Sequence, residues 1–203
     1  KSNIQEKVEK LSVSDSIRSI KFSNVVILVV DGTQTIDRQD LAIADLAIQE
    51  GRALIIAVNK LDAVDNEKET LREVEARFGE SLHQIRGAEI VFVSAKANKN
   101  IGKLIGVCFK VFEKWNIEIS TGKLNQWLGR ALEIHTPPLI DGKRLKLRYM
   151  TQTTTRPPTF ILFSNKKDLP DSYLRYLINS LKEEFDMVGI PIRFILKKNK
   201  NPI

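Results

Sequence analysis

Asn59-Lys60-Leu61-Asp62 ends the apolar run Ala53 to Val58, and Ser94-Ala95-Lys96 ends the run Ile90 to Val93, with Ser94 standing 32 residues beyond Asp62. A buried carboxylate at Asp62 can accept two parallel hydrogen bonds from a ring N–H and an exocyclic amino group, the pair that guanine presents and adenine lacks. A site built for that pair discriminates because each polar group left unmatched costs about 1–3 kcal/mol. In this reading Asn59 ties neighbouring loops through its amide, Lys60 lays its stem along the base and Asp62 accepts the guanine hydrogens. Ser94 braces the loop, the backbone N–H of Ala95 faces the guanine carbonyl, and Lys96 covers the other face of the base. The expected ligands are GTP and GDP.

No Gly-x-x-x-x-Gly-Lys-Ser/Thr occurs in the chain, and no Asp-x-x-Gly stands ahead of the guanine motifs. No residue is therefore assigned to cradling phosphates, to magnesium or to catalysis. Asp31, which follows Val25 to Val30 and precedes Gly32, is read as a loop-capping residue in preference to a magnesium ligand. His83, His135 and Cys108 have no metal-ligand spacing, which argues against zinc. His135, beside two prolines, is read as structural. A second Asn-Lys-x-Asp, Asn165-Lys166-Lys167-Asp168, has no Ser-Ala-Lys among the 35 residues after it, so it is read as a basic loop.

Three strand-then-helix units position the motifs. Val25 to Val30 precedes a helix over Asp37 to Glu50, Ala53 to Val58 precedes Glu67 to Phe78, and Ile90 to Val93 precedes Ile101 to Trp115. Continuous apolar strands alternating with helices predict a parallel sheet buried on both faces, with ligands at the carboxyl ends of its strands. Gly51 is the expected left-handed cap of the first helix. Ile4 to Ile20 reads as an amphipathic helix with Val8, Leu11, Ile17 and Ile20 on one side, an abrupt way for a domain to begin.

From about Asn116 the rhythm changes to α-β-β-α-β: a helix Lys123 to Ile134, a turn at Asp141-Gly142, strands Leu145 to Tyr149 and Thr159 to Phe163 joined by Thr151 to Pro158, a helix Tyr173 to Phe185 capped by Leu169 to Ser172, and a strand Pro191 to Leu196. Residues 1–118 are thus expected to form an α/β part and 119–203 a small α+β domain, with Lys197 to Ile203 as a frayed tail.

The 203 residues carry a net charge of +7, yet residues 1–118 hold 17 Lys and Arg against 18 Asp and Glu, whereas 119–203 hold 15 against 7. A local basic excess draws polyanions, RNA above all. Lys143, Arg144, Lys146, Arg148 and Arg156 gather with Tyr149 near one hairpin, and Lys166, Lys167 and Arg175 lie near Tyr173 and Tyr176. These are the candidate RNA or ribosome contacts, with Arg144, Lys146 and Arg148 on one strand face. The apolar runs are far short of the ~20 residues that span a bilayer, and Cys108, the single cysteine, is expected as a buried reduced thiol, which together indicate a cytoplasmic protein and no membrane partner.

Val8-Glu9-Lys10-x-Ser12-Val13, the guanine motifs, Leu124-Asn125, His135-x-Pro137-Pro138, Pro157-Pro158-x-Phe160, Ser172-Tyr173-x-Arg175-Tyr176-Leu177 and Gly189-x-Pro191-Ile192-Arg193 together resemble the Der (EngA) family, bacterial GTPases with two tandem G domains and a KH-like domain. The resemblance implies a partial P-loop GTPase sheet followed by a KH-like domain, and places the chain at the back half of the second G domain. It also implies that the intact parent hydrolyses GTP with Mg2+, that this activity serves assembly of the large ribosomal subunit, and that the G domains pack on the KH-like domain according to nucleotide state. A missing phosphate-loop strand would pair with Val25 to Val30 and leave that strand an apolar edge. The Gly-x-x-Gly loop with which ordinary KH domains clamp RNA does not occur, as no two glycines stand three apart.

Overall fold

β-branched and aliphatic side chains fill the three strands that carry the motifs. In the computed structural model, which describes residues 14–81, 86–140, 143–166 and 168–198, β1 (Val25–Asp31), β2 (Ala53–Asn59) and β3 (Glu89–Phe92) form a parallel sheet in the order β1-β2-β3. Every residue from Ala53 to Val58 is buried, as befits the central strand. The register places Asp31 opposite Asn59 and Val58 opposite Phe92, so the motif-bearing ends of the strands lie side by side.

Helix α1 (Arg38–Gln49) starts on Asp37, whose carboxylate accepts from Gln39 N and Asp40 N while Asp40 returns a bond to Asp37 N. It ends on Gly51 at φ 72°, a left-handed conformation that glycine adopts without a Cβ clash. With α2 (Glu67–Ser81), it closes a core in which Leu28, Val30, Ile56 and Val58 meet Ala44, Ala47, Ile48, Val74 and Phe78. Of the expected helix Ile4 to Ile20, residues 4–13 lie outside the described residues. Residues 14–22 are helical, with Ile20 packed on this core and Ile17 exposed, contrary to its assignment to an apolar face.

Two compact units divide at Phe112/Glu113, inside α3 (Ile101–Trp115). Ile105 and Phe109 of α3 are exposed, and Cys108 is half-buried where a buried thiol was expected.

The second unit contains α4 (Thr121–Ile134), the two-residue strands β4 (Leu139–Ile140) and β5 (Lys143–Arg144), β6 (Leu147–Thr155), β7 (Pro158–Ser164), α5 (Asp171–Glu184) and β8 (Arg193–Lys198). β6, β7 and β8 form one sheet, antiparallel then parallel. Thr151 to Thr155, expected as connector, instead extends β6, since β-branched residues favour the pleated backbone, and the hairpin closes over the cis Arg156-Pro157 peptide. Helix α5 begins at Asp171, two residues before its expected start, so Asp171 and Ser172 lie in its first turn and Pro170, at the cap position, gives no side-chain bond. Lys197 and Lys198 belong to β8, while 199–203 of the expected tail and the Asp141-Gly142 turn lie outside the described residues.

The outer edge of β6 is covered from its own unit. Asn125 on α4 donates to Met150 O (2.9 Å) and accepts from Met150 N (2.9 Å), reproducing the two bonds of a neighbouring strand. Gln152 does likewise for the segment before α4, accepting from Ile119 N (2.8 Å) and donating to Ile117 O (2.9 Å).

Candidate functional site

The two guanine motifs close on one another at the carboxyl ends of β2 and β3. Leu61, buried in the 3-10 turn Leu61–Ala63, donates its N–H to Val93 O (3.0 Å), and Val93 N–H donates to Val58 O (2.8 Å). Ser94, fully buried, donates its hydroxyl to Asp62 Oδ1 at 2.5 Å and accepts from Ala97 N at 3.0 Å. A reciprocal backbone bridge between Ser94 and Lys99 folds Ala95 to Asn98 into a tight loop. Asn98 (φ 51°) and Asn100 (φ 62°) carry the left-handed backbone there, a conformation asparagine tolerates, and Asn100 Nδ2 donates to Phe92 O (2.9 Å). Neither asparagine was singled out in the sequence, although the run Ala97-Asn98-Lys99-Asn100 carries a turn signal.

Two of the expected roles change. Asp62 is exposed, not buried; its carboxyl lies below the ordinary aspartate range, first through the Ser94 hydroxyl and further through Lys96 and Lys60. The Ala95 N–H, expected to face a guanine carbonyl, donates to Asn59 Oδ1 at 3.1 Å. Asn59 thereby does tie the two loops, through its carbonyl oxygen.

Lys60 adopts φ 64° and extends its ammonium to Asp31 Oδ2, 2.6 Å away. Asp31 Oδ1 accepts from Thr33 N (3.0 Å) and Thr33 Oγ1 (2.7 Å), which makes it the loop cap expected. Lys60, then Thr33, hold its pKa down at about 2, from an ordinary 3.8. Both oxygens being engaged, one of them by a cation, Asp31 does not suit a magnesium ion. Gly32 N–H donates to Asn59 O (2.9 Å), and a Cβ at Gly32 would stand 2.9 Å from that oxygen and 2.8 Å from Val58 Cγ1. Only glycine lets the β1 loop lie this close to the Asn59 backbone. A cavity of about 680 Å³ opens elsewhere in this unit, lined by Arg72, Glu75, Phe78, Arg86 and Ile90, and none of the seven motif residues borders it.

In the second unit, Arg144, Lys146 and Arg148 are all exposed beside buried Leu145 and Leu147, but they do not share the one strand face expected: Arg144 ends β5, Lys146 lies between strands and Arg148 belongs to β6. The register then slips between Leu147 and Tyr149, which leaves Arg148 and Tyr149 both exposed before buried Met150. Arg156 does not join this group. It sits at the far end of β6, roughly 25 Å away by strand rise, and donates to Asn116 Oδ1 at 2.7 Å. The side chain of Lys143, and Lys167 and His83 altogether, lie outside the described residues. Arg175 is exposed on α5.

Tyr173 and Tyr176 are engaged by the fold through their hydroxyls. Tyr173 is buried and donates to His135 O (2.8 Å), and Tyr176 donates to Ala131 O (2.8 Å), so both satisfy carbonyls at the end of α4, with the His135 ring beside them. Burial pushes the Tyr173 phenol up to about 12. Asn165 of the second Asn-Lys-x-Asp binds protein backbone: it accepts from Lys146 N (2.8 Å) and donates to Arg144 O (3.1 Å), fixing the basic segment to the end of β7. The spelling Asp-x-x-Gly does occur once, at Asp186 to Gly189, where it forms the turn between α5 and β8 and Asp186 pairs with Lys114 at 2.7 Å.

Residues 13–114, which hold the three-stranded parallel sheet with both motifs at its strand ends, match the family model of the Elongation factor Tu GTP binding domain, so this part of the chain is of the GTP-binding class. Residues 118–197 match the KH-domain-like of EngA bacterial GTPase enzymes, C-terminal. GTPase Der of Ruegeria pomeroyi is 49% identical over 205 residues, covering 100% of this chain and 42% of that protein. GTPase Der of Rickettsia typhi is 49% identical over 206 residues, covering 100% and 46%. The chain belongs to the Der family of GTPases, and spans less than half the length of these curated relatives. The crystal structure of a probable GTP-binding protein engB is 26% identical, covers 56% of this chain and 70% of its own, and superposes with a TM-score of 0.46, a likeness too loose to carry an argument. No helix among the described residues is long and apolar enough to cross a membrane.

Proposed function

We propose that residues 1–118 supply the base-recognition edge of a guanine-nucleotide site, with Asn59, Lys60, Leu61, Asp62, Ser94, Ala95 and Lys96 as its residues, in a cytoplasmic GTPase that serves assembly of the large ribosomal subunit. The Ser94 to Asp62 bond carries this reading: it joins two motifs 32 residues apart and orients a charged carboxylate toward solvent at the strand ends, where a base can reach it. Ala95 N–H meets the base only by exchanging its bond to Asn59 Oδ1, so binding involves a small rearrangement of that loop. GTP hydrolysis and Mg2+ are assigned to the longer polypeptide of the relatives, because this sequence carries no phosphate-loop motif and no switch motif to which they could be given. Addition of GDP to isotope-labelled protein should shift the amide signals of Asp62, Ala95 and Lys96, ADP should leave them in place, and Asp62→Asn should abolish the difference. Equal shifts with both nucleotides would sink the reading.

A second reading concerns residues 119–203, taken as the KH-like domain, which contact ribosomal RNA or the large subunit. Fifteen cations against seven carboxylates support it, as does the exposure of Arg144, Lys146 and Arg148. Steep loss of RNA affinity with rising salt tests it; a docking surface used only by G domains would show little RNA binding at any salt.

A further inference from the structure

One face of the β6–β7–β8 sheet carries Met150, Phe160 and Leu162 into the core, and the other presents exposed Tyr149, Arg193, Ile195 and Lys197 around half-buried Ile161 and Phe163 and buried Thr159. On that second face the register aligns Tyr149 with Phe163, Phe163 with Lys197, Ile161 with Ile195 and Thr159 with Arg193. Tyr149 and Ile195 are each 43% exposed, and the rings of Tyr149 and Phe163 meet at 5.7 Å with a 43° tilt, so Phe163 steadies the tyrosine while part of its ring stays uncovered. The three strands carry Arg148, Arg193, Lys197 and Lys198 and no Asp or Glu. Tyr173 and Tyr176 are tied to α4, which leaves Tyr149 as the tyrosine available for stacking.

We infer that this sheet face binds single-stranded RNA, with an unpaired base stacked on Tyr149 and the sugar-phosphate backbone held by Arg193 and Lys197. The inference rests on the reading of the C-terminal unit as RNA-facing and supplies the surface and the strandedness that reading lacks. An acidic protein would match the charge alone. A solvent-facing ring braced by a second aromatic and flanked by cations matches both halves of a nucleotide, and a base offers its π-face only when unpaired. The contact does not use a Gly-x-x-Gly loop, in keeping with the sequence.

The test uses the whole 203-residue chain, a fluorescent single-stranded oligoadenylate and a duplex RNA of the same length, with anisotropy at several salt concentrations. Tyr149→Ala should weaken the single strand roughly tenfold, and Tyr149→Phe, which keeps the ring, should bind as the parent does. Lys197→Glu should weaken binding and reduce the salt slope. Circular dichroism checks that each variant is folded. Parent-like affinity in folded Tyr149→Ala, with loss in Lys146→Glu, would leave the RNA reading standing and overturn the sheet-face inference, as would a duplex bound as tightly as the single strand. No RNA binding by the parent would overturn both; a ribosomal protein bound in its place and lost on Tyr149→Ala would make the face a protein dock.

Discussion

Lys60 and Asp31 stand at the ends of neighbouring parallel strands and close into an ion pair at 2.6 Å. The lysine that the motif would lay along a base is thereby tethered at its tip to the loop after β1, and the carboxylate it meets is kept from protonation. Asp31 titrates lower folded, at about 2, than unfolded, near 3.8. Its stabilising contribution is therefore fully present above pH 4 and is lost as the pH falls toward 2. Carbon-detected titration of the Asp31 carboxyl should give a midpoint near 2, and Lys60→Ala should move it back toward 3.8. An unchanged midpoint in the variant would refute the pairing.

Ser94→Ala removes the hydroxyl that is the foremost cause of the lowered Asp62 pKa. The Asp62 carboxyl should then titrate higher, and the amide of Ala97 should exchange faster because it also loses Ser94 Oγ. Hydrogen exchange and carboxyl titration read the two consequences separately.

Asn125→Ala should destabilise the second unit by about 2–3 kcal/mol, since Met150 N–H and C=O both lose their partner on the outer side of β6. Urea unfolding measures it. A loss below half a kcal/mol would mean that water replaces the clamp without penalty.

Lys182, buried on α5, has its pKa pulled down by burial to about 8, from 10.5. The unfolded chain then holds more protons than the folded one between pH 8 and 10.5, so stability should rise with pH across that window, by roughly 3 kcal/mol at full extent. Lys182→Met should flatten the difference, read as the gap between the two unfolding curves at pH 7 and pH 10.

Among the described residues β1 pairs only with β2, and it exposes Val29 (58%) and Ile27 (41%) on one face. The chain should self-associate as its concentration rises, and Val29→Lys should reduce that association without lowering stability. Sedimentation velocity provides the check; a monomeric parent at all concentrations would remove the edge as a cause.

The order of elements was legible because it is local. The buried strands announced themselves as unbroken apolar runs, Gly51 stopped α1 where a left-handed residue was needed, and the guanine motifs fell at strand ends as strand-helix alternation demands. The misreadings also have local causes. Thr151 to Thr155, expected as part of a connector, extends β6 because its β-branched threonines favour the pleated backbone. Arg156 was grouped with Arg144 by its proximity in sequence, but a nine-residue strand separates them.

The sequence by itself determined which groups are proposed to read guanine, and that the cations belong to the C-terminal part, because motif spelling and charge are properties of the residues. Only the tertiary structure decided how those groups are engaged: Asp62 held by Ser94, Ala95 N–H turned to Asn59, Lys60 to Asp31, Asn165 to Arg144 and Lys146, and two of three tyrosines withdrawn to the end of α4. All of these bonds join residues 19 to 45 positions apart, beyond the reach of any helical or strand period, so packing alone could assign the partners.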